Sequence, residues 1–251
     1  MKKINWLLIG LLVSTNASAN AHVLLWWQGK AVSELQYPTP VNLSDALLAP
    51  AIKHYEVYWP AAHISNSVRK QELEHKRGAV IRDLSSLVDT WQLIGEDGLV
   101  KTAISLKKQL LDLRLTGRFY VDVDPDISLA PSGYNPSLEG HYDLYLSPRR
   151  TKVFVAGLLT QPGEMPILPA EGIRQYWRKI KLLDGADTAH VYLIHPDGKS
   201  DLVPVAIWNE QHVEAMPGAT LFIGFSNDIL PKKYKNINQQ ILDLLANRMP
   251  E

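Results

Sequence analysis

Two hydrophobic periods alternate along the chain, and the switches between them divide it. Residues 23–27 and 31–37 are strand-like runs about Gln28-Gly29-Lys30, the pattern of a β-hairpin. Residues 43–53 read as a short helix whose start Asn42 or Ser44 can cap. From about Asn66 the period lengthens: Val80, Leu84, Leu87, Val88, Trp91 and Ile94 keep one helical face, Gly95-Glu96-Asp97-Gly98 interrupts it, and Ala103, Leu106, Leu110 and Leu113 resume it. This predicts a helical hairpin over about 66–114, with Gly78 in its first arm costing about 1 kcal/mol relative to alanine. Past Thr116-Gly117-Arg118 the period of a strand returns at 119–123 and 142–146, so the helical hairpin is inserted within one unit, residues 22–150.

The second half, 151–226, repeats the sequence of strand, turn, strand, helix, strand, turn and strands. Pro162-Gly163 and Pro217-Gly218 place proline and glycine where a type II turn needs them, and Pro196-Asp197-Gly198 is a further turn. Pro204 cannot donate to a ladder and puts its strand at a sheet edge. Both halves share the order hairpin, helix, further strands, which is that of a β-grasp domain. The expected fold class is therefore α+β. In the terminal segment, 231–251, Tyr234, Ile237, Ile241, Leu244 and Leu245 recur at helical spacing behind Pro231, opposite a face bearing Lys232, Lys233 and Lys235. Its apolar stripe covers about three turns, or about 16 Å of a hydrocarbon core roughly 30 Å thick. The helix is expected to run over 231–249 and to pack on its own second domain, leaving a monomer.

Composition changes this picture at a few points. With no cysteine, disulfides, Fe–S clusters, cysteine-rich zinc sites and thiol nucleophiles are excluded. Lys plus Arg and Asp plus Glu both count 26, so no basic field recruits nucleic acid. Lys2 and Lys3, an apolar run at 4–13 and Ala17-Ser18-Ala19 form a cleavable signal peptide over 1–21, which predicts a periplasmic protein starting at Asn20 or His22 with no transmembrane span in the mature chain.

Candidate chemistry is sparse. Asp122, Asp124 and Asp126 start like a calcium loop, but Ile127 occupies the sixth position and Gly133 the twelfth, so no metal is expected. His190 and His195 are five residues apart on one strand, facing opposite sides, which argues against a shared metal. Gly198-Lys199-Ser200 imitates the end of a phosphate loop, yet Leu193 stands where its first glycine belongs, and no cofactor is implied. Trp26, Trp27, Trp59, Trp177 and Trp208 are either core or sugar-stacking indoles, with Trp26 and Trp27 on opposite sides of their strand. Arg118 either bridges Asp124 or Asp126, or recognises a partner.

Trp59-Pro60, Thr116-Gly117-Arg118, Asp124-Pro125-Asp126, Asn135-Pro136 with Gly140 and Tyr142, Pro196-Asp197-Gly198, Pro204-Val205-Ala206 with Trp208-Asn209, and His212-Val213-Glu214 with Pro217-Gly218 together resemble the GfcC family of capsule and exopolysaccharide biosynthesis proteins. The sequence departs from the family's pattern at Ala61, Ser137 and Leu129, the last standing where an arginine commonly follows. The resemblance implies a periplasmic protein of two β-grasp domains, similar to the soluble ligand-binding β-grasp domains of outer-membrane polysaccharide exporters. It implies a non-enzymatic accessory in capsule or exopolysaccharide assembly or export, binding glycan or an export component through Arg118, Trp59, Asp124, Asp126, Trp208, Asn209 and His212. Two alternatives stay open: a polysaccharide-modifying enzyme using carboxylates near Asp122 to Asp126, and an oligomeric outer-membrane adaptor.

Overall fold

Gln28 and Gly29 both take positive φ, 50° and 75°, as a two-residue type I′ turn demands, and they close a hairpin between β1 (Ala21–Trp27) and β2 (Lys30–Tyr37). The structure is a computed structural model and describes residues 21–130, 133–206, 208 and 211–249. Residues 1–20 of the expected signal peptide and Asn209 lie outside the described residues, whereas Ala21, the last residue of that expected segment, begins β1. After the hairpin come β3 (Val41–Asn42), α1 (Leu43–Leu47), a 3-10 turn at Trp59–Ala61 and β4 (His63–Ser65). Then follow α2 (Ser67–Leu93), α3 (Asp97–Asp112), α4 (Pro125–Ser128), β5 (Ser137–Leu138) and β6 (Gly140–Leu146). The first sheet has the order β2-β1-β6-β4, with β1 parallel to β6, and β3 pairs with β5 beside it. Val23, Leu25, Leu43, Leu47, Ile64 and Leu144 form its core.

The second unit comprises β7 (Lys152–Gly157), β8 (Gly163–Pro166), α5 (Ile173–Trp177), β9 (His190–Ile194), β10 (Ser200–Pro204), β11 (Thr220–Ile223) and α6 (Ile237–Leu245). Its sheet order is β10-β9-β11-β7-β8, with β7 parallel to β11 and the Pro204 strand at the edge. In each unit the first strand of a hairpin therefore pairs in parallel with a later strand, and the whole is α+β.

Although α2 and α3 are inserted in the first unit, their apolar face belongs to the core of the second. Val80, Leu84, Leu87, Trp91, Leu106 and Leu110 cluster with Phe222, Phe225, Ile241 and Leu244. Gln109 fastens α3 to β7 by donating to Gly157 O at 2.8 Å and accepting the Gly157 amide at 2.9 Å. Tyr234 donates to Ser86 Oγ at 2.7 Å, and Lys76 pairs with Asp243 at 2.8 Å, so α2 also holds the C-terminal segment.

Four expectations require correction. Residues 119–123 are irregular: Arg118 makes one bridge to Ser65, Phe119 donates to Ile64 O, and beyond Asp124 the donor-less Pro125 starts α4. The helix expected over 43–53 ends at Leu47, because Pro50 would break it. The C-terminal helix is broken into a 3-10 turn at Lys232–Tyr234 and α6. Ile94 is 66% exposed, since α2 ends before it and Gly95 turns the chain with φ 79°.

The step from Thr116 to Arg118 joins all these parts. Asn247, just beyond α6, accepts the Thr116 amide at 2.9 Å and its hydroxyl at 3.1 Å on its carbonyl, and the Arg118 amide at 2.7 Å on Oδ1. Its Nδ2 donates to Asp243 O at 2.8 Å. His63 Nε2 lies 2.9 Å from Thr116 Oγ1. Gly117 has φ 78°, and a Cβ there would sit 2.4 Å from the Lys70 backbone nitrogen at the start of α2.

Two outcomes follow from this junction. Gly117→Ala combines strained φ with a backbone clash and should cost about 3 kcal/mol or more in urea denaturation; a loss near the ±0.5 kcal/mol of an ordinary surface change would contradict the junction's geometry. Burial, reinforced by the nearby Arg118 charge, holds the His63 imidazole well below its usual pKa. The folded protein thus leaves His63 neutral where the unfolded chain protonates it, so its contribution to stability is full above about pH 6.5 and falls by up to about 1.4 kcal/mol per pH unit below that. The stability difference between pH 7.5 and pH 5 should be smaller in His63→Gln than in the parent by about 1 to 2 kcal/mol, and parallel pH curves would refute it.

Candidate functional site

The two units meet across an open cavity of about 580 Å³. One wall comes from the 3-10 turn bearing Trp59 and from the irregular strand-like segment after Gly117; the other comes from the turn between β9 and β10. Arg118 forms the floor and is 6% exposed. Its backbone is fixed by Ser65 and Asn247, and its stem passes beneath Gly198, where an added Cβ would stand 3.1 Å from Arg118 Cδ and 3.2 Å from Nε. With φ 89° as well, position 198 needs glycine for both reasons.

The Arg118 guanidinium has no ion pair and no side-chain hydrogen bond among the described residues, and its buried Nε is without a partner. Burial lowers its pKa to about 10, although Tyr120 and Asp197 pull the other way. The bridging role weighed from the sequence is thereby overturned. Asp124 instead accepts the Asp126 amide at 3.0 Å, capping α4, and Asp126 is exposed away from the cavity.

Beside Arg118, His195 is oriented by Asp201, whose Oδ2 lies 2.8 Å from Nε2, while the buried Nδ1 has no partner. Both groups also face a smaller void of about 50 Å³ behind the floor. Partial burial pushes the Asp197 carboxyl up, but the Lys199 amide at 3.0 Å and ammonium at 3.0 Å outweigh this and hold it below the usual range. Tyr120 and Tyr134, 63% and 74% exposed, stand at the rim.

Of the residues expected at a site, Trp59, Arg118 and Asp124 line this cavity. Asp126, Trp208 and His212 do not: Trp208 is 79% exposed, and His212 lies 3.4 Å from Glu214 on the second unit. Sequence reasoning missed His195, Asp197 and Lys199. The available signals were the turn Pro196-Asp197-Gly198 and the run Gly198-Lys199-Ser200, which deliver charged neighbours to the same surface.

Among the described residues no helix is long and apolar enough to cross a membrane, and no group of three or more His, Asp or Glu side chains is placed to hold a metal ion. Residues 19–149 match the family described as capsule biosynthesis GfcC, N-terminal, and residues 161–250 match capsule biosynthesis GfcC C-terminal. The chain is also 32% identical over 197 residues to the uncharacterized protein YjbG of Escherichia coli (strain K12), covering 77% of this chain and 78% of that one. The chain belongs to the GfcC family of capsule biosynthesis proteins, and its role lies in capsule biosynthesis.

Proposed function

We propose that the protein is a non-enzymatic periplasmic accessory in capsule or exopolysaccharide assembly or export, and that it acts by binding glycan in the cavity over Arg118. One observation carries this reading: a buried guanidinium with no side-chain partner among the described residues forms the floor of an open cavity. A desolvated, unpaired charge destabilises a fold, and such groups are a signature of sites shaped for a ligand. Trp59 and the two rim tyrosines supply aromatic faces of the kind on which sugar rings stack, and the rim carboxylates can accept sugar hydroxyls. The signal peptide expected at 1–21 supports the periplasmic location.

The monomeric state is supported by α6, whose Ile237, Ile241, Leu244 and Leu245 are buried in the second core, leaving no long apolar stripe for lipid or for copies of itself. Light scattering of the mature chain should give the mass of one copy, and liposome flotation should leave it at the bottom of the gradient. A ring-sized oligomer, or flotation abolished by removing residues 231–251, would transfer the role to an outer-membrane adaptor.

Because among the described residues no carboxylate pairs with Arg118, its replacement strands no opposite charge there. Arg118→Met should leave stability unchanged or raise it by about 1 to 3 kcal/mol. The same variant in cells should lose surface capsule while keeping normal protein levels. Wild-type capsule in that strain would overturn the proposed site.

A further inference from the structure

Resting on the reading that this cavity binds glycan, we propose that its ligand is a carboxylate-bearing sugar residue of an acidic polysaccharide, with the carboxylate on Arg118 and a neighbouring hydroxyl on His195. The planar fork of a guanidinium matches a carboxylate with two parallel hydrogen bonds, and a neutral hydroxyl would leave the buried charge uncompensated. Arg118 is 6% exposed and lines the cavity, and among the described residues no side chain takes its guanidinium donors.

His195 narrows the chemistry. Asp201 Oδ2 lies 2.8 Å from Nε2 and orients the ring, and Nδ1, buried beside the Arg118 floor, has no partner of its own among the described residues and can pair with a hydroxyl. A hydroxyl next to a carboxylate satisfies Arg118 and His195 together, and sugar acids carry that pair of groups. A phosphate monoester brings close to two negative charges at neutral pH, and a sulfate ester, a monoanion like the carboxylate, presents its three oxygens in a pyramid rather than in the plane that the guanidinium fork matches.

The rim narrows it further. Asp122 and Asp124 line the mouth, and Asp197 is occupied by Lys199, so among the described residues the cavity holds a cation without an ion pair in its depth and carboxylates at its entrance. Such a field admits a single negative charge but repels a dianion, while the entrance carboxylates accept hydroxyls from the remaining ring positions. At about 580 Å³ the space lies within the roughly 300–1,000 Å³ of ordinary small-ligand sites.

The test is titration calorimetry on the full mature protein with short oligogalacturonates, the same oligomers as methyl esters, neutral glucose oligomers, glucose 6-phosphate and acetate. The acid oligomer should bind at least about tenfold more tightly than its ester. Arg118→Met should bind acid and ester alike, Arg118→Lys should keep part of the preference, and His195→Ala should weaken the acid by about three- to tenfold. The melting curve of each variant establishes that it is folded. Equal binding of acid and ester by the parent would overturn the carboxylate assignment while leaving glycan binding intact. Competition by acetate or glucose 6-phosphate as strong as that of the acid oligomer would reduce the cavity to a general anion site. Absence of binding by every sugar probe would overturn both the assignment and the glycan reading beneath it.

Discussion

Asn247 is where the chain is tied together. Through its carbonyl, Oδ1 and Nδ2 it receives the Thr116 amide and hydroxyl and the Arg118 amide while anchoring itself to Asp243. A second backbone bond, from the Met249 amide to Arg114 O at 2.7 Å, runs alongside. The end of the chain thus sets the height and direction of Arg118, which the first unit supplies and the second unit covers with Gly198. Without this clasp the floor of the cavity would have only the single bridge to Ser65 to hold it.

The same junction concentrates cost. Around Arg118 the chain buries a guanidinium with no ion pair among the described residues, a neutral imidazole at His63 and a glycine in a left-handed conformation. The desolvated guanidinium opposes folding, and it is offset by a continuous second core in which Tyr176, Phe222, Phe225 and Leu244 are all essentially fully buried.

Much of the fold was legible in the sequence because it is written in local periods. The helical hairpin, the first β-hairpin and the edge position of the Pro204 strand required only spacing and the stereochemistry of glycine and proline. Residues 119–123 misled because Phe119, Val121 and Val123 do alternate, but they do so against the first core with no partner strand beyond the bridge at Arg118. A period also reveals that α2 and α3 have an apolar face without saying which core covers it. In the site, Trp59, Arg118 and Asp124 stood out by residue type and position, whereas His195, Asp197 and Lys199 arrive from the other unit through tertiary packing that no spacing records. Trp208 and His212 looked equally suitable in sequence and fall elsewhere.

Inserting the helical hairpin in one unit while burying it in the other has a consequence for the order of folding. Val80, Leu84, Leu87 and Trp91 are made early, but Phe222, Phe225, Ile241 and Leu244 that cover them come near the end of the chain. At roughly 5–20 residues per second, the emerging chain carries that apolar face uncovered for on the order of ten seconds. The first core, built from residues between Ala21 and Leu146, can close without the second, but the hairpin's apolar face stays uncovered until those later residues arrive.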